Sequence, residues 1–206
     1  MQIERNSTLP LSVSQVRIFG TKQTRPAFLK SVTAPLHSPD PSTPQTLATV
    51  LDATNQVFAN LIAFNIFDPT KSSVHFDRAT SPLSGPNDVD VLIHLTERPR
   101  FAAAQTANMS GDGEVSGQMS ARAENLFGGS ERVEAVLQAG TLTKNAWEVK
   151  FQTPIAARPD VWGEIGIFRV TRDQKFFASH ELLQRGAYMK IKVLALGIAP
   201  SFFSLS

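Results

Sequence analysis

The chain has 206 residues, 42% of them hydrophobic and 18% charged, which is enough to build one large or two modest folded domains. Its net charge is +2, and its 20 lysines and arginines are dispersed, which argues against a dedicated nucleic-acid surface. The absence of cysteine excludes disulfides, thiol catalysis and cysteine-bound zinc.

The first elements predicted along the chain are a strand and a helix. Residues 11–19 form a short, mostly alternating run that ends at Gly20, as a strand would. Pro26 suits the first turn of a helix, which we predict to continue to about Leu36. A connector rich in proline and serine follows at residues 37–43.

The second predicted helix has the clearest pattern in the sequence. Thr43 is a suitable N-cap, and Pro44 suits the first helical position. Apolar residues recur at three- and four-residue spacing, which predicts a helix with one face against a core: Leu47, Val50, Leu51, Phe58, Leu61 and Ile62.

Strands are predicted after this helix, at residues 66–67, 74–76 and 88–96. The last of them places apolar residues on one side, namely Val89, Val91, Ile93 and Leu95. The first half therefore predicts an α+β domain with the order β-α-α-β-β, and the pattern changes near residue 98.

Beyond residue 98, polar and apolar residues alternate almost strictly, with little helical periodicity. Strands are predicted near residues 101–107, 114–124, 132–141, 146–153, 161–169 and 187–193. Turn-forming residues connect several of these segments, which predicts hairpins and therefore an antiparallel meander of about six strands.

Alternation alone leaves two architectures open for this half. In a soluble sheet the apolar face lies in the core and the polar face lies in water. In a membrane barrel the apolar face lies in lipid and the polar face lines the lumen. The pattern by itself favours neither.

The sequence contains no combination of residues that predicts catalysis. The Gly-Asp-Gly segment at residues 111–113 does not open a helix and predicts a hairpin turn. The four histidines are far apart, and Asp88 and Asp90 are more simply explained as the start of a strand. Trp147 and Trp162 fit membrane-interface anchors and ordinary packing residues equally well. We therefore predict no enzymatic activity, no metal and no cofactor.

Five segments, in collinear order, resemble the Sam50 (Tob55) branch of the Omp85 family. Three resemble parts of a POTRA (polypeptide-transport-associated) domain: residues 16–32 (VRIFGTKQTRPAFLKSV), 61–77 (LIAFNIFDPTKSSVHFD) and 87–98 (NDVDVLIHLTER). Two resemble barrel strands: residues 124–155 (ENLFGGSERVEAVLQAGTLTKNAWEVKFQTPI) and 181–193 (ELLQRGAYMKIKV). The resemblance favours the membrane barrel for the alternating half.

This resemblance implies an α+β POTRA domain followed by an incomplete antiparallel transmembrane β-barrel. The implied domains are a tail at residues 1–10, a POTRA-like domain at residues 11–98 and a partial barrel at residues 99–206. About six strands cannot close a barrel with a lumen, so we expect a fragment, a truncated product or a subunit that needs partners. Residues 194–206 do not resemble the family's continuation.

The resemblance also implies a function. Members of this branch belong to the sorting and assembly machinery of the mitochondrial outer membrane, with the POTRA domain in the intermembrane space. They bind and insert β-barrel precursor proteins, work with other subunits of that machinery and use no cofactor. The implied partners are thus precursors, machinery subunits and the lipid bilayer, and nucleic acid is not among them.

Three sets of residues follow as candidate sites. The implied lateral gate is the first barrel strand, with Phe101, Ala103, Gln105 and Ala107. The implied lipid-facing residues are Val133, Ala135, Leu137, Trp147, Val149 and Phe151. The implied POTRA strand edges, which could hold a precursor by strand addition, are Val13, Val16, Ile18, Val89, Val91 and Ile93.

Two other functions remain open on the residues alone. The chain could be a soluble POTRA-containing module that binds proteins and has no insertase activity, with its C-terminal sheet packed on itself. An enzyme is the weakest hypothesis, because no catalytic constellation supports it.

Overall fold

The computed structural model describes residues 9–37, 46–80, 85, 87–109, 115–141, 143–173 and 181–194. They form two compact units. The first contains the described residues up to Ala104 together with Ala121–Val133, and the second contains Gln105–Ser120 and the described residues from Glu134 onward. In the described part of the chain, no helix is both long and apolar enough to cross a membrane.

The first unit begins with a strand and two short helices, β1 (Ser12–Phe19), α1 (Pro26–Val32) and α2 (Ala34–His37). The single helix predicted to Leu36 is wrong, since the chain interrupts it at Thr33. Pro35 explains the break, because a proline inside a helix cannot donate a backbone hydrogen bond and clashes with the preceding turn. The Thr33 hydroxyl and backbone N–H both donate to the Leu29 carbonyl, each at 2.9 Å.

The long helix α3 spans Leu47–Ala63. Thr46 is its N-cap and forms a capping box with Thr49, which satisfies backbone donors that the first turn leaves free. The predicted N-cap, Thr43, lies outside the described residues. The buried face of α3 contains Val50, Thr54, Val57 and Leu61.

A three-stranded sheet lies against these helices. It consists of β1, β2 (Ser73–Arg78) and β3 (Asp88–His94), in the order β1-β3-β2. β3 is parallel to β1 and antiparallel to β2. Val91 and Ile93 of β3 are completely buried, in a core shared with Phe28, Leu29, Val57, Leu61, Phe64 and Phe67.

Gly20 lets β1 leave this sheet. Its φ of +85° belongs to the left-handed region, and a Cβ atom at this position would lie 2.0 Å from the Leu95 carbonyl oxygen. Only glycine fits this close backbone crossing, which positions the loop that leads to α1.

The remaining strands form one sheet in the order of the sequence: β4 (Phe101–Met109), β5 (Val115–Glu124), β6 (Arg132–Gly140), β7 (Thr143–Pro154), β8 (Val161–Asp173) and β9 (Glu181–Val193). The predicted antiparallel meander of about six strands is therefore confirmed. β8 and β9 each run 13 residues, longer than predicted, because the two strands stay paired beyond the predicted segments.

Candidate functional site: a sheet with an exposed apolar face

One face of β7, β8 and β9 is formed largely by apolar residues, and most of these are exposed. Val149, Ile167 and Ala187 are paired across the three strands, and the next row is Phe151, Ile165 and Met189. The Ile165 side chain is 53% exposed and Met189 is 77% exposed. A soluble sheet would bury this face, so the pattern is that of a sheet whose apolar side meets another apolar medium.

The opposite face of the same strands carries charged side chains and is more enclosed. Glu164 is only 1% exposed, and its carboxylate pairs with Lys190 at 2.8 Å and with Lys192. Gln152 donates a further hydrogen bond to Glu164, and a neighbouring pair joins Lys150 to Glu134 at 3.1 Å. A buried carboxylate is tolerated only when it is paired in this way.

An aromatic side chain covers part of this polar face. Tyr188 lies directly opposite Gly166, and a Cβ atom at that glycine would lie 2.4 Å from the tyrosine ring. The Tyr188 hydroxyl donates to Glu148 at 2.7 Å. The glycine therefore makes room for a ring that links the charged rows.

The candidate lipid-facing residues lie on β6 and β7. Leu137 and Val149 are exposed, whereas the other four are partly buried: Val133, Ala135, Trp147 and Phe151. On both strands they alternate with the residues that form the Glu134–Lys150 ion pair. Their assignment to lipid stays a prediction.

The candidate gate residues Phe101, Ala103, Gln105 and Ala107 all lie on β4, which occupies one edge of the six-stranded order. Every residue of β4 is exposed, and its only neighbour among the described strands is β5. One side of its backbone is therefore open to pairing with another strand.

Both β1 and β3 were predicted to be edge strands of the POTRA sheet, and the prediction is confirmed for β1 and wrong for β3. β1, with Val13, Val16 and Ile18, lies at an edge. β3, with Val89, Val91 and Ile93, lies in the centre and pairs with β1 on one side and β2 on the other. Because β3 pairs with β1 as well as with β2, neither side of its backbone is free for another strand.

A buried polar junction joins the helical part of the first unit to the turn between β5 and β6. The Glu97 carboxylate accepts hydrogen bonds from the Thr24 hydroxyl at 2.7 Å and from the backbone N–H groups of residues 22–24. The Asn125 side chain donates to the same hydroxyl at 3.0 Å. The Ser130 N–H in turn donates to Asn125, so one chain of hydrogen bonds crosses the junction.

The environment of Glu97 favours its charged form. Burial raises the pKa of this carboxyl, but the hydrogen bonds from Thr24, Lys22 and Gln23 outweigh burial and hold the pKa below its usual value. The carboxylate thus acts as a fixed acceptor for a loop that has three N–H groups to satisfy.

The turn at the junction is held by an ion pair and by two glycines. Arg25 contacts Glu131 at 2.9 Å, and Glu131 accepts from the Gly129 N–H at 2.9 Å. A Cβ atom at Gly128 would lie 2.7 Å from the Gln23 carbonyl oxygen. Sequence reasoning missed this junction, although the Asn-Leu-Phe-Gly-Gly segment marked the turn itself.

Other residues considered in the sequence have structural surroundings. Trp162 is buried, and its indole N–H donates to the Pro159 carbonyl at 2.8 Å. Asp90 is buried beside Arg17 at 3.6 Å. The His75 and His94 rings lie 5.7 Å apart, and the described residues contain no group of three or more side chains that could hold a metal.

No family model matches the chain, but individual proteins and solved structures do. A SAM50-like protein of Schizosaccharomyces pombe (strain 972 / ATCC 24843) is 32% identical over 193 residues, which are 92% of this chain. Those residues are 40% of that relative, so the chain spans about two fifths of its length.

Two solved structures have a similar fold. The crystal structure of BamA from Haemophilus ducreyi lacking POTRA domains 1–3 matches 88% of this chain with a TM-score of 0.62 and 16% identity, over 32% of its own length. CdiB from Acinetobacter baumannii matches 88% of this chain with a TM-score of 0.55 and 12% identity, over 33% of its length. The six-stranded sheet has the fold of the barrel region of BamA. The identity with the fungal SAM50-like protein shows that the chain belongs to the Sam50 branch of the Omp85 family.

Proposed function

We propose that the chain is part of a mitochondrial outer-membrane assembly protein that binds β-barrel precursors and supports their insertion. The observation that carries the proposal is the six-stranded sheet, with its apolar face exposed and Glu164 buried on its polar face. Lipid provides the apolar medium that the exposed face needs, and the charged face then lines a lumen.

The open edge of β4 supplies the activity in this proposal. Unpaired backbone groups are costly in lipid, so an incoming strand gains hydrogen bonds when it pairs with an existing edge. β4 contains no charged residue between Phe101 and Met109, whereas sheet edges that resist pairing commonly carry charges. An uncharged edge in a membrane sheet is thus suited to act as a template for precursor strands.

We assign the strands and helices of residues 12–94, called the α/β unit below, to a POTRA domain in the intermembrane space. Its strands and main helices follow the order β-α-α-β-β, with only the short helix α2 added. In this assignment the free edge of β1 is a second place where an extended segment of a precursor or of another machinery subunit can pair. The junction around Thr24 and Asn125 then holds the turn between β5 and β6 against the domain.

The second candidate is a protein-binding module without insertase activity. It is favoured by the free edge of β1, where Phe19 is exposed and stacks on His94 with 5.0 Å between ring centroids. In this case binding occurs at β1, and the edge of β4 has no role.

Disulfide cross-linking separates the two candidates, because the chain has no cysteine of its own. Gln105→Cys places a thiol on the edge of β4, Gln15→Cys places one on β1, and Ala135→Cys on the interior strand β6 is the control. We expect Gln105→Cys to cross-link to a single-cysteine strand of an imported barrel precursor, and Ala135→Cys not to. Cross-linking at Gln15→Cys alone would favour the second candidate.

A further inference from the structure

Two arginines lie side by side on the apolar face of the six-stranded sheet. Arg169 of β8 is directly opposite Arg185 of β9, and Trp147 of β7 completes the row. Both arginines are exposed. Neither forms an ion pair with any residue in the described part of the chain.

This arrangement is unfavourable without an anion. Directly opposite residues in an antiparallel pair have Cβ atoms about 4.5–5.5 Å apart, and like charges at that separation destabilise the sheet. The guanidinium group offers parallel N–H donors that match the oxygens of a phosphate, and directly opposite residues carry two such groups here. The pair therefore has the charge and the donors to bind one phosphate group.

The position of the pair indicates where the phosphate comes from. The next row along the same face is Val149, Ile167 and Ala187, so the arginines lie at the border of the apolar surface. Arginine and tryptophan are the residue types that meet the headgroup layer at such a border.

One further feature lies beside the pair. On the other side of Trp147 is a groove of about 400 Å³. It is lined mainly by uncharged side chains, including Met119, Leu137, Ala139 and Trp147. An apolar groove next to a phosphate site suits the acyl chain of a phospholipid.

We propose that Arg169 and Arg185 bind the headgroup phosphate of an anionic phospholipid of the surrounding bilayer, with an acyl chain in the groove beside Trp147. The inference rests on the proposed function, because it requires that the apolar face lies in lipid. Arginines that only reach toward water at an interface would attract anionic lipids no more strongly than other exposed arginines of the chain do.

Quenching of tryptophan fluorescence by brominated lipids tests this binding. The full chain with Trp162→Phe, which leaves Trp147 as the single tryptophan, is reconstituted in phosphatidylcholine vesicles that contain a minor fraction of brominated phosphatidate or of brominated phosphatidylcholine. We expect brominated phosphatidate to quench Trp147 at a roughly tenfold lower membrane fraction, as expected for two arginines near an anionic headgroup.

Two matched variants complete the test. Arg169→Gln with Arg185→Gln should abolish the preference, whereas Arg78→Gln with Arg172→Gln removes the same charge elsewhere and should keep it. Equal quenching by the two lipids, or a preference that survives in the first variant, would overturn the lipid site. If neither lipid quenches Trp147, the apolar face does not lie in lipid and the proposed function fails as well.

A second measurement is independent of the tryptophan substitution. Mass spectrometry of the detergent-solubilised chain, with both tryptophans present, should detect bound phosphatidate in preference to phosphatidylcholine. The preference should be lost in the Arg169→Gln, Arg185→Gln variant, and its persistence there would overturn the proposal.

Discussion

The sheet of the α/β unit and the strands β7–β9 share one alternating pattern but bury opposite faces. In the α/β unit, Val91 and Ile93 are completely buried beneath the helices. In β8 and β9, Ile165 and Met189 are exposed, and the side chain that is almost fully buried is Glu164. Alternation thus fixes which residues share a face, whereas the surroundings decide which face is hidden.

The charged residues of the two regions show the same contrast. Glu97, at the end of the small sheet, is held mainly by neutral hydroxyl and backbone donors. Glu164 is held by the ammonium groups of Lys190 and Lys192 on a neighbouring strand. The first carboxylate fixes a loop, and the second balances two lysines on the polar face of the sheet.

The largest effect is expected when charges are placed on the apolar face of the six-stranded sheet. Val133→Asp, Leu137→Asp and Phe151→Asp together should abolish membrane integration. Each acidic side chain on a lipid-facing strand lowers the stability of the inserted sheet by up to about 2 kcal/mol. Carbonate extraction measures the loss as release of the chain into the supernatant. If the face instead packs against protein, the variant will unfold and aggregate.

A matched triple variant on the polar face is the control. Gln118→Asp, Ser120→Asp and Gln138→Asp add the same charge at positions that alternate with the apolar ones. We expect this variant to stay in the membrane pellet. Its release would show that added charge alone, rather than the face that carries it, decides the outcome.

The same deletion made in both regions should differ strongly in effect. Ile93→Ala should lower the free energy of unfolding by about 2–5 kcal/mol, since Ile93 is 0% exposed and the cavity has no other filler. Ile165→Ala, at a side chain that is half exposed, should lower it by about 0.5 kcal/mol or less. Urea unfolding in detergent micelles measures both, and equal losses would mean that the two faces are equally buried.

Neutralising the buried carboxylate should have a smaller but clear effect. Glu164→Gln leaves Lys190 and Lys192 without their partner, and because both lysines are about half exposed we expect a loss of about 2–3 kcal/mol. Glu148→Gln is the control, since it keeps an acceptor for Tyr188 and should cost about 1 kcal/mol or less. Similar losses in the two variants would argue against a special role for Glu164.

The sequence predicts the local features of the fold well. The alternation beyond residue 98 predicted the six strands, and β4 begins where the strand near residues 101–107 was predicted and continues to Met109. These features depend on neighbouring residues, whose period along the chain is visible directly.

The features that were missed depend on residues far apart in the chain. The central place of β3 follows from its parallel pairing with β1, which lies about 75 residues earlier and leaves no local signal. The junction joins Thr24 to Glu97 and Asn125, which are 73 and 101 positions away. The break at Thr33 is different, because Pro35 was a local signal that would have predicted it.

The smallest predicted loss of stability concerns Glu97 in the polar junction, and this loss depends on pH. The pKa of Glu97 in the folded chain lies below its ordinary value of 4.5, so the folded state is favoured while this carboxyl is charged. Its stabilisation is complete above pH 4.5 and is lost as the pH falls through the lower folded-state pKa, because the unfolded chain takes up the proton first. Glu97→Gln, which keeps one acceptor oxygen, should lower stability by about 1–2 kcal/mol at neutral pH.

The difference in the free energy of unfolding between the wild type and Glu97→Gln separates the effect of this carboxyl from that of other groups that titrate in the same pH range. Hydrogen bonds from Thr70 also lower the pKa of Asp68, but that group is present in both proteins and cancels. Urea unfolding at a series of pH values should show the difference shrinking below pH 4.5. A difference that stays constant with pH would mean that Glu97 holds the loop through its shape and not through its charge, and the junction would then not respond to acid.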